Sequence, residues 1–206
     1  MRIKSLVLAL ALTAPALNAQ EGGRPEGWKV RFDRASASDA DLTFVTMSPG
    51  WHITTGPAGI FYNPSNSGTG EYRVESTIFL FDPGRRHREA YGIIFGGHDL
   101  EGEGQAYNYF LIRDTGEFLI KRRNGGSTET VVPWTPTSAI MPFPGGDEQA
   151  KNVLAIECGA ETVDFFINGE KVTSVPRSQL DTDGVVGFRV NHGLNLHVTG
   201  LTVESK

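Results

Sequence analysis

Apolar positions along the chain recur mostly at every second residue, in short runs broken by Gly, Pro, Asn and Asp. Period-two alternation marks half-buried β-strands, because successive side chains on a strand point to opposite faces. The runs fall at residues 42–47, 51–54, 58–62, 71–82, 91–95, 107–113, 118–123, 128–132, 153–158, 162–167, 171–175, 185–190 and 194–203, which predicts about a dozen strands. Helices are nearly absent; residues 34–41 (RASASDAD) carry no apolar stripe. Asn168-Gly169 stands between two β-rich runs and predicts a tight hairpin, since both central turn positions need positive φ. Asp114-Thr115-Gly116 joins two further strands in the same manner. Many short strands, with no linker and no internal repeat, predict an all-β fold in which two antiparallel sheets pack as a sandwich or jelly roll. Uneven strand lengths and long loops favour this over a closed barrel. The sandwich is expected to occupy residues 42–206, behind a polar lead-in at 20–41.

The first nineteen residues follow another pattern. Arg2 and Lys4 make a basic start, residues 6–12 are an unbroken apolar run, Pro15 breaks it, and Leu17-Asn18-Ala19 offers a small-residue cleavage site. This is the three-part layout of a secretory signal peptide, and the apolar run is far shorter than the ~20 residues of a membrane span. No other stretch would cross a membrane. Cleavage after Ala19 leaves 187 residues and takes the formal net charge from −5 to −7. The expectation is a secreted or periplasmic protein.

Composition narrows the function classes. The acidic balance argues against nucleic acid, whose phosphates call for a basic face. A single cysteine excludes a disulfide framework, and Cys158 shares strand parity with Leu154 and Ile156, which reads as a small core residue. The 25 glycines point to many tight turns.

Several segments in order carry a family likeness. Ala90-Tyr-Gly-Ile-Ile-Phe-Gly-Gly97, Tyr107-Asn-Tyr-Phe-Leu-Ile-Arg113 and Asp114-Thr-Gly-Glu-Phe-Leu-Ile-Lys121 are followed by Asn152-Val-Leu-Ala-Ile-Glu157, Val163-Asp-Phe-Phe-Ile-Asn-Gly169 and Asp183-Gly-Val-Val-Gly-Phe-Arg189. This succession resembles the concanavalin A-like lectin/glucanase domains, specifically a laminin-G-like jelly roll. It is also similar to the 3-keto-disaccharide hydrolase-type domain of secreted bacterial proteins. The resemblance spans roughly residues 56–203 and implies a fold more than a chemistry, because its motifs are strand and turn positions. Family-16 glycoside hydrolases of this fold carry Glu-x-Asp-x-Glu; the nearest pattern here is Asp99-Leu-Glu101-Gly-Glu103. The Asn66-Ser67-Gly68 of the keto-disaccharide hydrolase pattern is followed by Thr69-Gly70-Glu71 rather than by an apolar-x-aromatic-Arg strand.

Three groups of residues are candidates for chemistry. In the loop His98-Asp99-Leu100-Glu101-Gly102-Glu103, an extended backbone would place the carboxylates of Asp99, Glu101 and Glu103 on one side about 7 Å apart. That spacing suits a general acid and base, oxygen ligation of Ca²⁺, or simply a solvated loop. On the 107–123 hairpin, parity groups Tyr107, Tyr109 and Arg113, and pairing of Asp114 with Glu117 would add Arg122 to the same face. Aromatic rings beside guanidinium groups suit sugars, through apolar ring faces and hydroxyl hydrogen bonds. Trp51 and His52 place a large ring and an imidazole near a strand end. The leading reading is a glycan-binding module using Trp51, His52, His98, Tyr107, Tyr109, Arg113 and Arg122 with the acidic loop. A hydrolase of a glycoside or modified disaccharide, with Asp99, Glu101 and Glu103 as catalytic carboxylates, is the second. A protein–protein adhesion module is the third.

Overall fold

The computed structural model describes residues 24–206; the expected signal peptide at 1–19 lies outside the described residues. Fifteen strands follow one another: β1 (Lys29–Phe32), β2 (Leu42–Thr46), β3 (Trp51–Thr55), β4 (Gly59–Gly68), β5 (Tyr72–Leu80), β6 (Ala90–His98), β7 (Ala106–Arg113), β8 (Glu117–Asn124), β9 (Ser127–Pro136), β10 (Ala150–Cys158), β11 (Thr162–Ile167), β12 (Glu170–Pro176), β13 (Gly184–Val190), β14 (Asn195–Val198) and β15 (Thr202–Ser205). The only helical pieces among the described residues are two three-residue 3₁₀ turns, Asp39–Asp41 and Arg177–Gln179. The strands form two antiparallel sheets. The first runs β1-β4-β13-β6-β7-β8-β9, and the second runs β12-β11-β10-β5-β14-β3-β2 with β15 added beside β5. The expected all-β sandwich is the observed fold.

Alternation builds the core directly. On β5, Tyr72, Val74, Ser76, Ile78 and Leu80 are buried, while Arg73, Glu75, Thr77 and Phe79 face outward. On β11, Val163, Phe165 and Ile167 do the same. Phe165 meets Phe95 and Phe110 of the other sheet at ring-centroid distances of 6.0 and 5.1 Å. Cys158 is fully buried in this core, and burial pushes its thiol up to about 11. β6 is buried along nearly all its length because both of its faces are covered. Tyr91, Ile93 and Phe95 face the second sheet, whereas Ala90 and Ile94 join an outer cluster with Ile60, Tyr62, Tyr107, Tyr109, Leu111 and Leu119.

Both expected hairpins form. Asn168 and Gly169 have φ of 52° and 84°, the left-handed pair that such a turn demands. The Asn168 side chain also accepts from the Val153 amide and donates to the Ala139 carbonyl and Asn152 Oδ1. Gly116, at φ 82°, closes the turn between β7 and β8.

Three expectations are corrected. The lead-in at 20–41 is not merely polar: β1 pairs with β4, and Trp28 enters the core 5.5 Å from Phe44 and stacked 5.9 Å from Phe188. The run at 194–203 is two strands, β14 and β15, separated at Gly200 and both paired to β5. The third correction is register. Arg113, not Asp114, pairs with Glu117, so Tyr107 and Tyr109 stand opposite Arg123 and Lys121, while Arg122 stands opposite Asn108. The loop has three residues rather than two, and a slip of one residue moves a side chain to the other face. Arg122 is therefore not on the Tyr107, Tyr109 and Arg113 face.

Candidate functional site

A bulge opens the sheet where β6 ends and β7 begins. Phe95 pairs with Asn108 and His98 with Ala106, so Gly96 and Gly97 stand against the single residue Tyr107. Gly96 takes φ 62°, and a Cβ there would lie 1.9 Å from the Asp181 carbonyl, so only glycine fits. Beside the bulge lies a cavity of about 270 Å³ lined by Gly96, Ala106, Tyr107, Asn108, Arg122, Arg123, Asn124 and Asp181.

Its lining is rich in hydrogen-bonding groups that are only partly used. Asn108 is buried, and its amide nitrogen donates to the Asp181 carbonyl at 2.6 Å and, more weakly, to that of Phe95 at 3.5 Å. Its Oδ1 is buried with no partner. Nε of Arg123 is likewise buried and unpartnered, and its Nη1 donates to the Gly125 carbonyl at 3.2 Å. Both atoms are closed off from solvent and they belong to opposite sides of the sheet, Asn108 standing with Arg122 and Arg123 with Tyr107 on the outer side. Arg122 donates to Glu129 at 2.5 Å and to the Gln179 carbonyl at 3.1 Å.

The next layer lies on the outer face of the first sheet. Arg189 donates from Nη1 and Nη2 to the two carboxylate oxygens of Asp33, at 2.9 and 2.6 Å. Its guanidinium lies 5.3 Å from the Tyr109 ring centre, and Tyr109 lies 5.8 Å from Tyr107. Burial raises the Asp33 carboxyl, but the hydrogen bonds and charge of Arg189, with Arg123 and His192 nearby, outweigh it and hold the group below the usual carboxylate range. Burial also raises the Tyr107 and Tyr109 hydroxyls above the ordinary phenol value, against the pull of Arg189 and Arg123. Both phenols therefore remain protonated at neutral pH.

The sequence-derived residues divide. Tyr107 and Arg122 are both among the residues lining the cavity, and His98 Nε2 lies 3.7 Å from the exposed carboxylate of Asp181. Tyr109 lies one step further along the outer face. Arg113 is at the far end of β7, ion-paired to Glu117 at 2.5 Å and 4.1 Å from the Trp134 ring. Trp51 and His52 do not join the others, because β3 belongs to the second sheet. Trp51 turns inward, 4.5 Å from Trp28. His52 turns outward, cross-strand from His197 and 5.7 Å from Phe81, and its pKa is lowered by burial and by that second imidazole.

The acidic loop is folded rather than extended, so its carboxylates do not line up. Asp99 takes φ 46°, and the Gly102 amide donates to the Asp99 carbonyl to close a turn. The Asp99 carboxylate folds back over Gly102 and Gly104, where an added Cβ would collide with it. Glu101 is ion-paired to Lys29 at 2.5 Å. Glu103 is exposed on the turn. Among the described residues no group of three or more His, Cys, Asp or Glu is placed to hold a metal ion.

Asn108, Arg123, Asn124 and Asp181 were not singled out from sequence. Only Asn108 leaves a local signal, as a lone amide among the apolar residues of β7. Asp181 reads locally as turn chemistry, and its place beside β7 and β8 is set by long-range packing.

No protein-family model matches the chain, and no characterised protein matches it in sequence. Solved structures do match in shape. The carbohydrate-binding module CBM66 from Bacillus subtilis superposes with a TM-score of 0.62 at 16% identity, covering 87% of this chain and 96% of the other. Bacillus licheniformis β-glucanase does so with 0.59 at 10% identity, covering 89% and 94%. A protein of unknown function with a galectin-like fold, also from Bacillus subtilis, gives 0.58 at 11%, covering 86% and 89%. At these identities the likeness concerns the fold: this is a concanavalin A-like jelly-roll sandwich, an architecture shared by carbohydrate-binding modules and glucanases.

Proposed function

We propose that this protein is a secreted or periplasmic saccharide-binding module, residues 1–19 being a signal peptide and the cavity at the β6–β7 bulge the binding site. The observation that carries the reading is the cavity at the bulge, whose lining brings together the hydrogen-bonding residues Tyr107, Asn108, Arg122, Arg123, Asn124 and Asp181. A sugar ring presents adjacent hydroxyls, each both donor and acceptor, and so suits a lining of mixed donors and acceptors. The jelly-roll neighbours with saccharide-directed names support the same reading.

A hydrolase of a glycoside or modified disaccharide needs two carboxyl groups flanking the scissile bond. Asp181 is the single carboxylate among the residues lining the cavity, and Asp99, Glu101 and Glu103 do not face one another across a gap, which favours binding over cleavage. An adhesion module calls for an exposed apolar patch. Among the described residues the exposed large apolar side chains are Met47 and Met141.

A thermal-shift screen of residues 20–206 against a glycan panel tests the proposal. A ligand at a hundred times its Kd adds about 2.7 kcal/mol to stability, a readily visible shift. A saccharide-specific shift without product supports the module. Product formation moves the assignment to the hydrolase, and an unshifted panel moves it to adhesion.

A further inference from the structure

One ladder fastens the β2–β3 hairpin to the rest of the second sheet. Among the described residues β2 pairs with β3 alone, and β3 pairs onward with β14 through four residue pairs: Trp51 with Val198, His52 with His197, Ile53 with Leu196 and Thr54 with Asn195. Ile53, Leu196 and Val198 are buried in the core, so His52 and His197 stand side by side on the outer face. The Thr54 hydroxyl donates to Asn195 Oδ1 at 3.2 Å and so accepts from His52 Nε2 at 3.3 Å, which leaves the imidazole lone pair on Nδ1. That Nδ1 is shut off from water with no partner, and so is Nδ1 of His197. The neighbouring strands supply no countercharge. Val45 of β2 stands opposite His52, and Phe79 of β5 stands opposite His197 with its ring 5.9 Å away. Phe81 lies 5.7 Å from His52, and the next residue along the row is Lys151 of β10. Asp82, which follows Phe81, accepts from the Gly84 amide at 2.7 Å.

We propose that the His52–His197 pair is an acid-sensitive latch: protonation loosens the four-pair seam and frees the β2–β3 hairpin at the sheet edge while the other strands stay paired. A proton added to His52 goes to Nδ1 and creates a shielded N–H with no acceptor. A second proton on His197 sets like charges directly opposite each other across the ladder. Neither cost arises in the released hairpin, where water solvates both rings. Burial and the neighbouring imidazole hold His52 below its ordinary value of 6.5, so the seam is whole above that pH and weakens as the pH falls through the folded value. At a sheet edge such a cost acts locally, because sub-global opening starts from the elements with the fewest attachments. Release uncovers Ile53 and parts Phe44 from Phe61, 5.3 Å away, and Trp51 from Trp28, 4.5 Å away. The latch lies in the sheet opposite the cavity and does not rest on the saccharide reading.

Hydrogen exchange of residues 20–206, read by mass spectrometry at pH 7.5 and pH 5 and corrected for the intrinsic pH dependence of exchange, tests this. Protection of residues 42–55 should fall by about tenfold at the lower pH, while β7 and β10 keep theirs within about twofold. H52Q/H197Q, which has no imidazole at the seam, should hold the same protection at both pH values. Because strands are compared within the unaltered protein, the test stands even if the double variant folds poorly. Unchanged protection of residues 42–55 in the unaltered protein, an equal fall in every strand, or a loss that persists in H52Q/H197Q overturns the latch.

Discussion

The guanidinium of Arg189 and the carboxylate of Asp33 form a two-point pair that ties β13 to the segment following β1, beneath the ring of Tyr109. Arg189 is buried, and its charge is compensated chiefly by this one carboxylate. Removing one partner of such a pair strands the other, which typically costs about 3–5 kcal/mol.

Asp33→Ala should therefore lower unfolding stability by about 3 kcal/mol at neutral pH. The pH dependence has a definite sign. The folded-state carboxyl lies below its ordinary value, so its contribution is present above the unfolded pKa near 4 and is lost as the pH falls through the folded value. Urea unfolding of wild type and variant should show a gap that is full at pH 7 and closes in the acid range below about 4. A gap independent of pH would contradict the role given to the pair.

At the β11–β12 turn, Asn168→Val should cost about 2 kcal/mol or more. A β-branched residue is strained at φ 52°, and the substitution also removes the bonds to Val153, Ala139 and Asn152. Chemical denaturation measures it, and an unchanged midpoint would sink the argument.

How much of this was open to the sequence depends on the range of the interaction. The strands were legible because alternation is local: Val163, Phe165 and Ile167 declare a buried face without reference to any partner. The Asn168-Gly169 turn was legible for the same reason, since positive φ is a property of those two residues. The β7–β8 register was not, because two- and three-residue loops both accommodate Asp114-Thr115-Gly116, and the choice decides which face Arg122 occupies. Nor could parity tell that Trp51 lies in the opposite sheet from Tyr107, or that Asp181, far along the chain, would close a cavity beside Asn108. Those facts belong to sheet order, which is fixed by the whole core.

Cys158 should be inert in the native state. Its thiol is fully buried and pushed up to about 11, so little of the reactive thiolate exists at neutral pH and none of it is accessible. Thiol-reactive dye should label the denatured chain fully and the native chain only as fast as it opens. Rapid native labelling would mean that the core around β10 is looser than described.

The acidic loop offers a contrast with the cavity. A triple variant, Asp99→Asn with Glu101→Gln and Glu103→Gln, should retain saccharide with an affinity within about threefold of wild type, since none of the three lines the cavity. A titration of each protein with a saccharide retained in the panel gives the comparison. Loss of binding would return the loop to the site.

The most direct measurement is a residue-resolved titration of isotopically labelled residues 20–206 with such a saccharide, followed by NMR. The account predicts that the largest shift changes cluster at Gly96, Tyr107, Asn108, Arg122, Arg123, Asn124 and Asp181, with smaller ones at Tyr109 and Arg189. Changes centred instead on residues 98–103, or on His52 and His197 of the second sheet, would contradict it.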